Sequence, residues 1–205
     1  MKIGIMGGTF DPIHMGHLML GEYAYRNFDL DEVWFLPNGN PPHKEDPDIR
    51  KDTEDRLAMT ALAIQDTPYF RLSTYETEHA EKSYSYRTME HFRMVYPQHE
   101  FYFIIGADSL FNMETWMCLD RLLRAVVILA AYRDDADTPE EMYRQIRYLN
   151  RKYRADIRLL RTPLVPVSSH EIREQIAAGH LADLPVPERV AAYIRENHLY
   201  QGEKS

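Results

Sequence analysis

Along the chain, short runs of β-branched and aromatic residues alternate with longer stretches in which apolar residues recur at helical spacing. That alternation is the pattern of an α/β domain built on a mostly parallel sheet. The short runs predict strands at 2–6, 32–36, 70–74, 100–105, 125–131 and 156–161. Several are apolar without alternation, as strands covered by helices on both faces are, so a doubly wound sheet is expected. Helices are predicted from Gly16 to about Arg26 and at 53–65, 86–95, 113–123, 139–154, 169–178 and 188–197. Thr138-Pro139-Glu140-Glu141 and Ser168-Ser169-His170-Glu171 both place a capping hydroxyl three residues before a glutamate, and Gly179 supplies a stop after the second of these helices. From Asn38 to Asp52 the chain reads NGNPPHKEDPDIRKD, too rich in proline and charge for a helix or a central strand. A long loop is expected there, in the kind of place where open α/β sheets carry function.

A length of 205 residues predicts one domain, 1–205, with 165–205 as a C-terminal helical portion. The longest apolar run, Ala125 to Tyr132, is far short of the ~20 residues a membrane helix needs. Met1-Lys2-Ile3 leads into a glycine-punctuated strand rather than a signal-peptide core, so no membrane association is expected. The lone Cys118 cannot form an internal disulfide, which suits a reducing compartment and gives a cytoplasmic reading. With 24 Lys+Arg against 32 Asp+Glu the net charge is −8, which opposes non-specific binding to nucleic acid. The one basic cluster, Arg144, Arg147, Arg151, Lys152 and Arg154, falls late in a predicted helix and reads as a solvated face.

The candidate chemistry begins at once. The stretch from Lys2 to His17, KIGIMGGTFDPIHMGH, reads as a strand, a glycine turn and a helix start. Gly7 and Gly8 remove side chains so that backbone N–H groups can approach an anion, and the helix points its positive end at the same spot. The chain has neither G-x-G-x-x-G spacing nor a G-K-[ST] triplet. In their place stand His14 and His17, three apart, able to turn both imidazoles toward the glycines and donate to phosphate oxygens. Taken alone, such a pair is as readily two solvent-facing histidines. A metal site would need a third ligand, and no H-E-x-x-H pattern is present.

His14-Met15-Gly16-His17 resembles the signature of the H-x-G-H nucleotidyltransferase superfamily, and Val167-Ser168-Ser169-His170-Glu171-Ile172-Arg173 resembles its second signature, I-S-S-T-x-I-R. Within that superfamily the chain is similar to the bacterial nicotinate mononucleotide adenylyltransferases. Pro37-Asn38-Gly39-Asn40-Pro41-Pro42-His43-Lys44 resembles their P-x-x-x-P-P-H-K loop, and Gly106-Ala107-Asp108-Ser109 with Trp116 their G-A-D-S…W segment. Ser83-Tyr84-Ser85-Tyr86-Arg87-Thr88 resembles their S-Y-T-x-x-T stretch, and Val186 to Tyr200 their final segment, so the likeness covers nearly the whole chain. His170 stands where threonine is usual and Arg87 where aspartate is, and the stretch 76–82 lacks a usual Gly-Pro.

The resemblance implies a Rossmann-like α/β fold and adenylyl transfer from ATP to nicotinate mononucleotide, giving the deamido dinucleotide of NAD biosynthesis and pyrophosphate. It implies His14, His17 and Arg173 as catalytic residues and Gly7, Gly8, Thr9, Phe10, Gly106, Asp108, Ser168 and Ser169 as further contacts to ATP. Lys44, Thr88, Trp116 and Arg133 are the implied contacts to the acceptor. Mg²⁺ is expected to arrive with ATP, held by phosphates and water, with no metal site of the protein's own. A homo-oligomer is compatible with all of this. Alternatives are another nucleotidyltransferase of the superfamily, of the pantetheine-phosphate type, and a non-catalytic nucleotide sensor.

Overall fold

The computed structural model describes residues 1–40, 53–79, 81–132, 139–163 and 166–201. Lys44, Arg133 and Thr138 lie outside the described residues. Six parallel strands form one sheet in the order β3-β2-β1-β4-β5-β6: β1 Lys2–Gly8, β2 Glu32–Pro37, β3 Phe70–Leu72, β4 Glu100–Gly106, β5 Val127–Ala131 and β6 Ile157–Leu160. The helices are α1 Met15–Asn27, α2 Thr53–Ile64, α3 Ser85–Val95, α4 Ala107–Asn112, α5 Leu119–Ala125, α6 Pro139–Tyr153, α7 Ser169–Ala177 and α8 Glu188–Glu196.

Alternate residues of each strand feed two separate apolar cores, one per face. Met6, Val33, Phe35, Tyr102, Ile104 and Leu129 pack with α1, α2, α7 and α8. Ile3, Ile5, Phe101, Phe103, Ile105 and Ile128 pack with α3, α4, α5 and α6. This explains why the strands read as continuous apolar runs. The chain winds outward from β1 on one side and from β4 on the other, so the connections leaving the carboxyl ends of these two neighbours diverge. Such a switch point opens a crevice where doubly wound folds bind ligands.

The strands end within two residues of the expected positions, and most helices within one. The exception is the single helix expected at 113–123. A short helix, α4, precedes it, and the segment itself is a 3₁₀ turn at Met113–Thr115, a break, and then α5. Trp116 is extended and Cys118 is left-handed, with φ 52°. The spacing of Trp116, Leu119 and Leu123 mimics one helical face, but Leu119 and Leu123 are buried on α5 while Trp116 stands before it.

Candidate active site

A cavity of about 490 Å³ opens at the carboxyl ends of β1 and β4, with Gly7, Gly8, His17, Gly106, Asp108 and Trp116 on its wall. Of the first signature, His17 lines it and His14 is buried behind. His14 is the residue before α1, and its backbone N–H donates to Nδ1 of His17 at 3.3 Å. A ring that accepts at Nδ1 carries its neutral-form proton on Nε2, so His17 presents a donor on its far side. The two imidazoles stack 3.7 Å apart, and the edge of Phe10 meets His17 at 4.9 Å between centroids. His14 is buried, with 4% of its surface exposed. The pair is therefore held by packing as well as by the helix start.

The glycine between the histidines is a packing requirement. A Cβ on Gly16 would lie 3.0 Å from Nδ1 of His14 and 3.0 Å from a methyl of Val167, the residue that opens the second signature. Alanine within a helix would ordinarily gain about 1 kcal/mol over glycine. Here the gain is offset by displacement of the His14 ring or of Val167. For Gly16→Ala we expect a melting temperature close to that of the parent and a kcat about tenfold lower, since small misplacements of catalytic groups are costly. A kcat within twofold of the parent would show that the neighbours yield without consequence.

The second signature reaches the first through the loop between β1 and α1. Ser168 caps α7: its hydroxyl accepts from the Glu171 N–H at 3.2 Å, and its own N–H donates to the Glu171 carboxylate at 3.0 Å. Ser169 Oγ donates to the Pro12 carbonyl at 2.9 Å across 157 residues, and Arg173 Nη1 to the Asp11 carbonyl at 2.7 Å across 162. Asp11 Oδ2 lies 3.7 Å from the same guanidinium, while its Oδ1 accepts from the Tyr200 hydroxyl at 2.6 Å. His170 is exposed and faces Glu174 on its own helix at 3.3 Å, outside this clamp. The usual threonine therefore gives way without disturbing the clamp.

On the other side of the cavity Trp116 stands edge-on to Phe103, 6.4 Å between centroids. Glu114, two residues earlier, accepts from Lys152 Nζ at 2.6 Å and Tyr153 OH at 2.9 Å, which hold its carboxyl below the ordinary range. One member of the basic cluster therefore braces the turn that carries the indole. Thr88 is buried and turned inward, its hydroxyl donating to Glu76 Oε1 at 2.7 Å; the wall at the start of α3 consists of Ser85 and Tyr86 instead. Burial pushes the Glu76 carboxyl above its ordinary value, against the hydroxyls of Thr88 and Ser83 that donate to it. Arg87 is exposed and pairs with Glu81 at 3.0 Å. Asp108 is exposed in the first turn of α4.

Three residues on or behind the wall are not among the sequence candidates. Asn38 lines the cavity, and its buried Oδ1 has no hydrogen-bond partner among the described residues. Glu76 lines it as well, and no local pattern singles it out. Arg56 is wholly buried on α2. Its signal was present: with Met59, Thr60 and Ile64 it occupies an inward helical stripe, where a charge calls for a partner.

A cytidylyltransferase-like family model matches residues 5–175. A protein of Lachnoclostridium phytofermentans named "Probable nicotinate-nucleotide adenylyltransferase" is 41% identical over 199 residues, 97% of this chain and 98% of its own. One of the same name from Lactiplantibacillus plantarum is 38% identical over 200 residues, 98% of this chain and 88% of its own. Among solved structures, the Plasmodium falciparum nicotinic acid mononucleotide adenylyltransferase complexed with NaAD superposes with a TM-score of 0.78 at 21% identity, covering 97% of each chain, a likeness of fold. With most of its length matched by the family model and nearly all of it by such relatives, the chain belongs to the cytidylyltransferase-like family, among the nicotinate-nucleotide adenylyltransferases.

Proposed function

We propose that the protein transfers the adenylyl group of ATP to nicotinate mononucleotide, forming deamido-NAD and pyrophosphate. The observation that carries this reading is the bonding of the second signature to the β1–α1 loop, whose flanking residues Gly7, Gly8 and His17 lie on the wall of a cavity that also holds Trp116 and the start of α3. The acceptor's phosphate oxygen attacks the α-phosphorus of ATP; the new P–O bond forms as the bond to the β-phosphate bridging oxygen breaks, and the electron pair leaves on pyrophosphate. The nucleophile is already ionised, so no general base is needed and catalysis rests on positioning and charge stabilisation. His17 and His14 donate to phosphate oxygens. Arg173, with Nη1 fixed on Asp11, offers the rest of its fork to the outer phosphates. Gly7, Gly8, Thr9 and Phe10 form the strand end and loop beneath the phosphates, Gly106 and Asp108 flank the nucleoside, and Trp116 stacks on the pyridine ring. Lys44 and Arg133 remain candidate counter-charges.

Magnesium enters as Mg-ATP. Phosphate oxygens and water are read as its chief ligands, as is usual for magnesium carried by a nucleotide. Val167 to Ile194 share the apolar core of β1 and β2, which supports reading 1–205 as one domain with a helical C-terminal portion. Among the described residues no helix is long and apolar enough to cross a membrane. The lone Cys118, which cannot form an internal disulfide, is what supports a cytoplasmic reading.

The test is pyrophosphate release from Mg-ATP with nicotinate mononucleotide, nicotinamide mononucleotide, pantetheine phosphate or glycerol phosphate as acceptor. The first is expected to give the highest kcat/KM. Failure of every one of these acceptors to give pyrophosphate release, in a protein that still binds ATP, would favour a nucleotide sensor; a higher value with pantetheine phosphate would reassign the acceptor.

A further inference from the structure

Among the described residues Arg56 is the largest side chain that is wholly enclosed, and it does not line the cavity. Its Nη1 donates to the Thr9 carbonyl at 2.7 Å, and its Nη2 to the Asn38 carbonyl at 3.0 Å and to Thr53 Oγ1 at 3.1 Å. Thr9 follows Gly7 and Gly8, which the structure places in the last two positions of β1 rather than in a turn, and Asn38 follows β2. One guanidinium thus bridges the backbones of the two segments that wall the phosphate end of the cavity.

The segment it holds is also fixed against β1 and against residues 76 and 83. The Asn38 N–H donates to the Gly8 carbonyl at 2.9 Å, Asn40 exchanges hydrogen bonds with Ser83, and a Cβ on Gly39 would lie 2.1 Å from the Glu76 carbonyl oxygen. There is no room for this segment to shift toward Glu76, and beyond the last backbone bond between Asn38 and Gly8 the Arg56 fork is what ties Thr9 to Asn38. A buried cation is a poor means of stabilising a fold, because an apolar side chain of similar volume avoids the desolvation penalty. What the apolar side chain cannot do is hold two carbonyl oxygens at a fixed separation, as a rigid planar fork does.

We propose that Arg56 is a positioning residue for adenylyl transfer: by bridging the Thr9 and Asn38 carbonyls it fixes the start of the β1–α1 loop against the segment after β2, and with it the seat of the ATP phosphates. The inference rests on the reading of the cavity given above. An ammonium cannot span both carbonyls, so Arg56→Lys keeps the charge and loses the bridge. Thr53→Val is a gentler change that leaves the arginine in place and removes one anchor of the fork. Thr60→Val removes the hydroxyl that donates to the Arg56 carbonyl at 2.7 Å and serves as a control for loosening the same helix without touching the fork.

Three quantities are measured on each variant: far-UV circular dichroism with the melting temperature, kcat and KM for both substrates, and the Kd of ATP by calorimetry. Expected are at least a tenfold fall in kcat and a tenfold weaker ATP affinity for Arg56→Lys, about threefold for Thr53→Val, and unchanged kcat for Thr60→Val despite a lower melting temperature. Arg56→Lys with kcat and Kd within twofold of the parent would overturn the proposal. So would a Thr60→Val variant whose kcat falls in parallel, for then Arg56 contributes only stability. If Arg56→Lys does not fold, parental kcat and Kd in Thr53→Val overturn it equally. Should the parent itself turn over no acceptor, the proposed function fails, and the ATP affinities still decide the role of Arg56.

Discussion

Replacing His17 by alanine is expected to lower kcat by about 10²–10³ with little change in KM for ATP, the usual cost of removing one donor that acts on charge developing in the transition state. The geometry gives three reasons to choose His17 first. Its ring lies on the cavity wall, whereas His14 is almost fully buried behind it. Its Nδ1 is occupied by the His14 N–H, which leaves Nε2 as the donor. Its plane is fixed between the His14 ring and the Phe10 edge, so the donor requires no reorganisation when charge develops. Alanine also removes a reciprocal capping bond, worth about 1 kcal/mol, so the melting temperature should fall by roughly 2–4 °C for a chain of this size. His17→Asn separates the two effects. Its amide oxygen can accept the His14 N–H but puts no donor where Nε2 stood, so stability should recover and the rate should not. Steady-state kinetics and thermal melts of both variants check this, and a kcat near the parental value in folded His17→Ala would remove His17 from the mechanism.

Nicotinate mononucleotide is expected to be preferred over nicotinamide mononucleotide by about ten- to a hundredfold in kcat/KM, the effect of one hydrogen bond to a charged group worth about 1.5–3 kcal/mol. Trp116 cannot provide the distinction, because stacking on an aromatic face does not separate a carboxylate from a carboxamide of the same shape. The start of α3 can. Ser85 and Tyr86 are on the wall, and as the first two residues of a helix their N–H groups have no carbonyl a turn back to receive them. That end also carries the positive pole of the helix, which favours an anion and offers an amide NH₂ no acceptor. The opposing charge is Glu76 in the same cavity. Its repulsion toward the nicotinate carboxylate offsets part of that attraction, which keeps the expected preference within the ten- to hundredfold range. Competition between the two mononucleotides at saturating Mg-ATP gives the ratio directly, and equal values would exclude the α3 start as the discriminating element.

Much of this protein is legible from local pattern. Alternation of apolar runs with helical period locates the strands because each strand residue must face one of two apolar cores, and the cap at Ser168 is visible because its partner, Glu171, lies three residues away. Both signatures can likewise be read where they stand. The pattern fails where geometry overrides spacing. Trp116, Leu119 and Leu123 repeat like one helix face, yet the left-handed Cys118 separates the indole from α5 and frees it to face the cavity. Thr88 falls within a recognisable stretch, but whether its hydroxyl faces the cavity or Glu76 depends on how α3 packs over residue 76. No periodicity relates Asp11 to Arg173 and Tyr200, nor Arg56 to Thr9 and Asn38. Those contacts exist because the strand order puts β2, β1 and β4 side by side with their carboxyl ends together. Local sequence specifies elements through short-range sterics and the burial of one face. Which elements become neighbours, and which side chains meet between them, follows only from burying all those faces at once in a single sheet.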